Sequence, residues 1–190
     1  GKDGEVLTNA PGVIQTVTGL APGLYRLDAS LTADPGNTAI IFANGYNAGV
    51  VAERFDKFEE ATLFFLVGDD RVATLGAVGA NNGLRYTYKY YYPHQGCRFK
   101  ADNFRLTRIC DVPNGKLRLA LDEAKNAKFD AYGKASIDEA LSEGDYENIY
   151  EQKSATSADV DGYVKDIHSA LNAAAKLQQT IDADMTYAIN

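Results

Sequence analysis

Apolar and polar residues alternate from residue 25 onward. Tyr25, Leu27, Ala29 and Leu31 alternate with Arg26, Asp28 and Ser30, the period of two expected of a strand with one buried face. Ahead of it, Gln15-Thr16-Val17-Thr18 alternates and is rich in β-branched residues, and Ala21-Pro22-Gly23 supplies turn chemistry between the two segments. Further strands are predicted over Thr38 to Ala43, Ala61 to Val67, Val72 to Val78, Leu84 to Tyr92 and about Arg98 to Ile109. Asp34-Pro35-Gly36-Asn37, Asn44-Gly45-Tyr46-Asn47, Gly68-Asp69-Asp70, Asn81-Asn82-Gly83 and Pro93-His94-Gln95-Gly96 separate them as turns and loops. Six to eight short strands with this punctuation predict an all-β sandwich or jelly roll over residues 1–111.

The period then changes. Asp111-Val112-Pro113-Asn114-Gly115 reads as a boundary, with 112–115 as a linker. Beyond it Leu117, Ala120, Leu121, Ala124 and Ala127 fall on one helical face. Ile137, Ala140 and Leu141 mark a second, shorter helix that Gly144 interrupts or ends. Thr156-Ser157-Ala158-Asp159 offers caps for a third helix, in which Val160, Val164, Ile167, Leu171, Ala174 and Ile181 repeat at three- and four-residue steps. Three amphipathic helices of this size bury their stripes against one another, so 116–182 is predicted to be a three-helix bundle. The expected fold class is therefore mixed, an all-β domain followed by an all-α domain, with 183–190 a linker or the start of a further module.

Charge divides along the same line. Of a net −7, residues 1–111 hold 11 Lys/Arg against 12 Asp/Glu, and residues 112–190 hold 8 against 14. The acidity sits on the helical half, as solvated helix faces, and the absence of a clustered basic surface argues against a nucleic-acid partner. No run of 18 apolar residues exists to span a membrane. Two cysteines, Cys97 and Cys110, make no disulfide framework. One unbroken strand between them would hold them about 40 Å apart, so they are expected as unlinked, mostly buried thiols.

The β half resembles the galactose-binding-like jelly-roll modules of secreted and surface Bacteroidetes proteins. Gln15-Thr16-Val17-Thr18-Gly19-Leu20, Pro22-Gly23-Leu24-Tyr25-Arg26-Leu27, Leu75-Gly76 and Asp102-Asn103-Phe104-Arg105-Leu106 carry the resemblance, over about half the chain. The helical half is similar to the small three-helix repeats, called FIVAR-like, that follow such modules. Asp184-Met185-Thr186-Tyr187-Ala188-Ile189-Asn190 looks like the opening of a further jelly-roll module. Two departures stand against the family pattern: only residues 1–13 precede the Gln-Thr-Val-Thr segment, and the chain has no Trp. The resemblance implies a secreted or cell-surface bacterial protein in which neighbouring domains of the same polypeptide are partners. A monomer is expected.

Tyr86, Tyr88, Tyr90 and Tyr92 would share one face of a strand. Rigid rings with a polar tip suit a sugar, the ring stacking on its C–H face and the hydroxyl hydrogen-bonding. The same spacing also serves a tyrosine-covered sheet face packed under other elements. His94, Asn44, Tyr46 and Asn47 are the loop residues that would accompany the tyrosines around a glycan. No cofactor is required, but the resemblance implies a structural calcium on Asp102 with Glu5 or Asp3, where calcium would need six to eight oxygens. Asp159-Val160-Asp161-Gly162 fails as a calcium loop because its closing Glu position falls on Ala170. No G-x-S-x-G, H-E-x-x-H, P-loop or G-x-G-x-x-G motif occurs, and no carboxylate pair stands out, so no enzyme activity is expected. The sequence thus points to a carbohydrate-binding β domain with the helices as a spacer. The alternative is a structural or protein-interaction segment with no sugar site. Exposure of the tyrosines discriminates the two.

Overall fold

The structure, a computed structural model, describes residues 12–80 and 97–189. The chain divides into two compact units, Gly1–Ile109 and Cys110–Asn190. The first holds the strands β1 (Gly12–Thr18), β2 (Gly23–Ala33), β3 (Thr38–Ala43), β4 (Tyr46–Val51), β5 (Glu59–Val67), β6 (Val72–Ala80) and β7 (Phe99–Cys110). They form two sheets, one ordered β1-β6-β3-β4 and one ordered β5-β2-β7. The pairs β1–β6, β3–β6, β3–β4 and β2–β5 are antiparallel.

One core joins the two sheets. From β2 it takes Tyr25, Leu27, Ala29 and Leu31, from β5 Leu63, Phe65 and Val67, from β3 Ala39 and Ile41, and from β6 Ala73, Leu75 and Ala77. On every strand these residues are two apart, which is the alternation read from the sequence. Each large side chain fully buried there, such as Leu27, Leu31, Ile41 or Phe65, contributes about 1.5–3 kcal/mol relative to exposure. The Tyr25 ring packs on Phe65 at 6.1 Å between centroids, and its hydroxyl donates to the Ala21 carbonyl at 2.9 Å.

The turns explain one difference from the sequence reading. Ala43 pairs with Tyr46 in the β3–β4 register, so the hairpin loop is only Asn44-Gly45. Both have positive φ, 46° and 86°, the conformation a two-residue hairpin turn demands and the reason Asn-Gly suits it. Tyr46 and Asn47 are therefore not loop residues; they open β4, a strand the sequence reading did not separate. At Gly76 a Cβ would overlap the Val13 carbonyl oxygen of β1 and come within 2.8 Å of the Phe42 ring. The missing side chain is what lets β1 lie against β6.

In the second unit lie α1 (Val112–Asn126), α2 (Ala131–Glu143), α3 (Tyr146–Glu151) and α4 (Val160–Ile189). Three helices were expected; the extra one is the six-residue α3. Residues 112–115, expected as a linker, are the first turn of α1. Asp111 caps it by accepting from the Asn114 N–H, and Pro113 sits where its lost N–H costs nothing. Residues 183–189, expected as a linker or a new module, continue α4. Leu117, Leu121, Ala124, Ile137, Leu141, Val160, Ile167 and Ala174 form the shared core of this unit. Asn114 is its buried polar pin: Nδ2 donates to Asp111 at 2.7 Å and to the Lys153 carbonyl at 3.3 Å, and Oδ1 accepts from the Ala155 N–H at 3.2 Å. Among the described residues no helix is long and apolar enough to cross a membrane.

Two glycines should respond in opposite directions. Gly76→Ala forces backbone apart at the β1–β6 contact and is expected to cost about 1–3 kcal/mol. Gly162→Ala, in the first turn of α4 with nothing within 4 Å of the added Cβ, should stabilise by up to about 1 kcal/mol. Urea unfolding of the two variants measures both; equal effects would contradict the packing described.

Candidate functional site

Tyr86, Tyr88, Tyr90, Tyr92, His94 and Glu5 lie outside the described residues. Three of the remaining candidates are placed as follows. Asn44 is a structural residue: its side-chain amide donates to the Leu66 and Val72 carbonyls at 3.2 Å each, and its oxygen accepts from the Thr74 N–H at 3.0 Å. It fastens the β3–β4 turn to the ends of β5 and β6. Tyr46 and Asn47 are exposed on β4, the edge strand of their sheet. The structure brings none of the three onto the β5-β2-β7 sheet.

Asp102 has a local role. Its carboxylate accepts from the N–H of Asn103 at 2.7 Å, and Asn103 stands at φ 55°, in the left-handed region that Asn tolerates better than most residues. The register shows why. Asp34 N–H bonds the Arg98 carbonyl at 3.0 Å, whereas Ser30 meets Asn103 and Asp28 meets Arg105. Over this interval β2 advances by four residues, Asp34 to Ser30, while β7 advances by five, Arg98 to Asn103. The extra residue is a β-bulge. Among the described residues no group of three or more His, Cys, Asp or Glu could hold a metal ion.

Among the described residues of the β unit, the bulge builds an ordered polar row. With Leu27 and Ala29 turned into the core, Asp28 and Ser30 face outward from β2. Their partners across β5 are set by register, Glu60 opposite Ser30 and Thr62 opposite Asp28. On the other side the bulge turns Asn103 and Arg105 outward to meet them. Two rungs result. In the first, the Ser30 hydroxyl donates to Glu60 at 2.6 Å and the Asn103 amide donates to Ser30 at 3.2 Å. In the second, Thr62 donates to Asp28 Oδ1 at 2.8 Å and Arg105 approaches Oδ2 at 3.4 Å. Arg26, opposite Phe64 on β5, reaches back to the same Oδ2 at 2.9 Å. Rungs two residues apart along a strand are about 6.7 Å apart, and neighbouring strands about 4.8 Å.

A loop closes one end of the row. The Thr32 hydroxyl, the next outward group on β2, donates to the Arg54 carbonyl at 2.9 Å and is fully covered. Phe55 in the same loop carries the Arg98 guanidinium at 4.8 Å and the Lys100 ammonium at 4.4 Å over its ring. Arg98 in turn holds Asp34 at 2.8 Å.

Charge at the row is fixed by these bonds. Burial alone would push the Asp28 carboxyl up, but the Thr62 hydrogen bond, the Arg26 charge and the Arg105 and Arg26 bonds outweigh it and hold it below its ordinary value. A carboxyl so held is an acceptor at neutral pH, the opposite of a general acid. Elsewhere in the chain, burial and then the Asp34 charge raise the Cys97 thiol, which suits a packing role rather than reactivity. Both Cys97 and Cys110 are buried. A cleft of about 490 Å³ in the helical unit is lined in part by Lys125, Lys134, Asp138 and Glu147. These groups pair with one another, Lys125 with Glu147 at 2.9 Å and Lys134 with Asp138 at 2.6 Å, which accounts for their presence without a ligand.

Because the folded pKa of Asp28 is lowered, its contribution to stability is complete above the unfolded value of 3.8 and is lost as pH falls from there through the folded value. Asp28→Asn is therefore expected to flatten the acid limb of the stability–pH profile below about pH 4. Thermal melts between pH 2 and 7 measure this; an unchanged acid limb would contradict the network. No family model, curated protein or solved structure matches this chain.

Proposed function

We propose that the chain is a non-catalytic carbohydrate-binding module of an extracellular or surface-exposed bacterial protein. In this reading the β unit is a galactose-binding-like jelly roll that carries recognition, and the helical unit is a three-helix spacer with α3 as an added turn. Two antiparallel sheets around one core support the first identification. Three long helices around a second core support the other.

The observation that carries the reading is the double rung on the outer face of β5-β2-β7. Glu60, Asn103, Thr62 and Arg105 present donors and acceptors from the two strands flanking β2, held in place by the buried Ser30 and the largely covered Asp28 between them, on rigid elements rather than on loops. A ligand dense in hydroxyl groups, each both donor and acceptor, matches such an array. The tyrosine positions 86, 88, 90 and 92, with His94, are a second proposed contact set on sequence pattern alone.

A broad glycan array, followed by titration of the best hit, tests the proposal. Asn103→Gly keeps a residue that accepts positive φ while deleting the amide. Because it also removes the bond to Ser30, it should cost about 1 kcal/mol of stability, and it should weaken binding roughly fivefold to tenfold, the worth of one hydrogen bond. Glu60→Gln should weaken it comparably. Absence of any hit, or full affinity in both variants, would refute a sugar site on this face and favour a structural segment.

A further inference from the structure

We infer that the sugar this face takes is acidic, a uronate whose carboxylate sits on the guanidinium groups of Arg105 and Arg26. The inference rests on the carbohydrate reading above and adds the charge class of the ligand. Both guanidinium groups converge on one oxygen, Oδ2 of Asp28, Arg26 through Nε at 2.9 Å and Arg105 through Nη2 at 3.4 Å. The other Asp28 oxygen is taken by the Thr62 hydroxyl at 2.8 Å. Two positive charges thus share one negative charge, and the triad carries a net +1.

The donors outnumber what Asp28 can accept. A guanidinium offers five N–H groups in a planar fork, and one from each arginine meets Asp28. The Arg105 side chain is 68 % exposed and that of Arg26 is 35 % exposed, so the fork, Arg105 above all, is accessible from water. A carboxylate matches that fork with two parallel hydrogen bonds, which a neutral hydroxyl cannot do. The exposed Thr62 and Asn103 lie beside it for ring hydroxyls. Glu60 stands one rung away, bonded to Ser30, so the acidic group is directed to the Arg26–Arg105 end of the row. A polyphosphate backbone needs a broad field of cations. The Arg26–Asp28–Arg105 triad, net +1 and balanced by Glu60 one rung away, suits one carboxylate per sugar.

The full chain should be titrated with polygalacturonate, alginate and hyaluronan, each beside its carboxyl-reduced, neutral counterpart. At least one uronate polymer is expected to bind, with affinity falling tenfold or more on carboxyl reduction. Arg105→Gln should produce a similar loss, and Arg105→Lys, which keeps the charge but not the fork, a smaller one. Far-UV circular dichroism verifies folding, and Arg26→Gln serves if Arg105→Gln does not fold. Equal affinity for a polymer and its reduced form, or unchanged affinity in a folded Arg105→Gln protein, would overturn the acidic-sugar inference and leave the carbohydrate reading standing. Binding to neither class would overturn both.

Discussion

The bulge at Asn103 is the constraint on which the β5-β2-β7 face depends. A regular β7 would continue the parity of Phe99 and Ala101, both packed against the core, and would turn residues 103 and 105 inward. One inserted residue reverses this and sends an amide and a guanidinium to the outside. Leu106 then returns to the core, so a single backbone irregularity serves both surfaces of the strand. The left-handed conformation it requires costs little for Asn, and the Asp102 carboxylate satisfies the N–H that the broken ladder strands.

The same economy holds around it. Every outward side chain at the rungs has a partner fixed by strand register, so the row is ordered before any ligand arrives. Preorganisation of this kind lowers the entropy cost of binding, because side chains already held in place have less freedom to lose. The hydrogen bonds among Glu60, Ser30 and Asn103 are individually modest, about 1 kcal/mol each. Their larger effect is positional. Arg26 and Arg105 are held near each other by Asp28, which offsets their mutual repulsion and keeps both guanidinium groups on one face.

Much of the fold was legible in the sequence because burial there follows a simple period. The alternation of Tyr25, Leu27, Ala29 and Leu31, and the three- and four-residue steps of Val160, Val164, Ile167, Leu171 and Ala174, report faces directly. β4 was lost because Tyr46 and Asn47 follow Asn-Gly and share its turn-like composition; only the register shows that the turn is two residues long. The first turn of α1 was read as a linker because Pro113 and Gly115 break helices in the middle but not at the start. The six-residue α3 is too short to display a period. For the candidate site, Arg26, Asp28 and Ser30 were visible as the polar half of an alternation. Asn103 and Arg105 were not assigned to the same face, because the bulge that puts them there depends on pairing between residues 73 apart in sequence. Asn44, read as a ligand group, is spent on holding a turn.

The most direct test of the central claim, that the outer face of β5-β2-β7 is the recognition surface, is a backbone NMR titration of the ¹⁵N-labelled chain with the glycan that binds best. The largest amide shifts are expected on Asp28, Ser30, Thr62, Asn103 and Arg105. Shifts confined to β1, β3, β4 and β6, or to the helical unit, would contradict it.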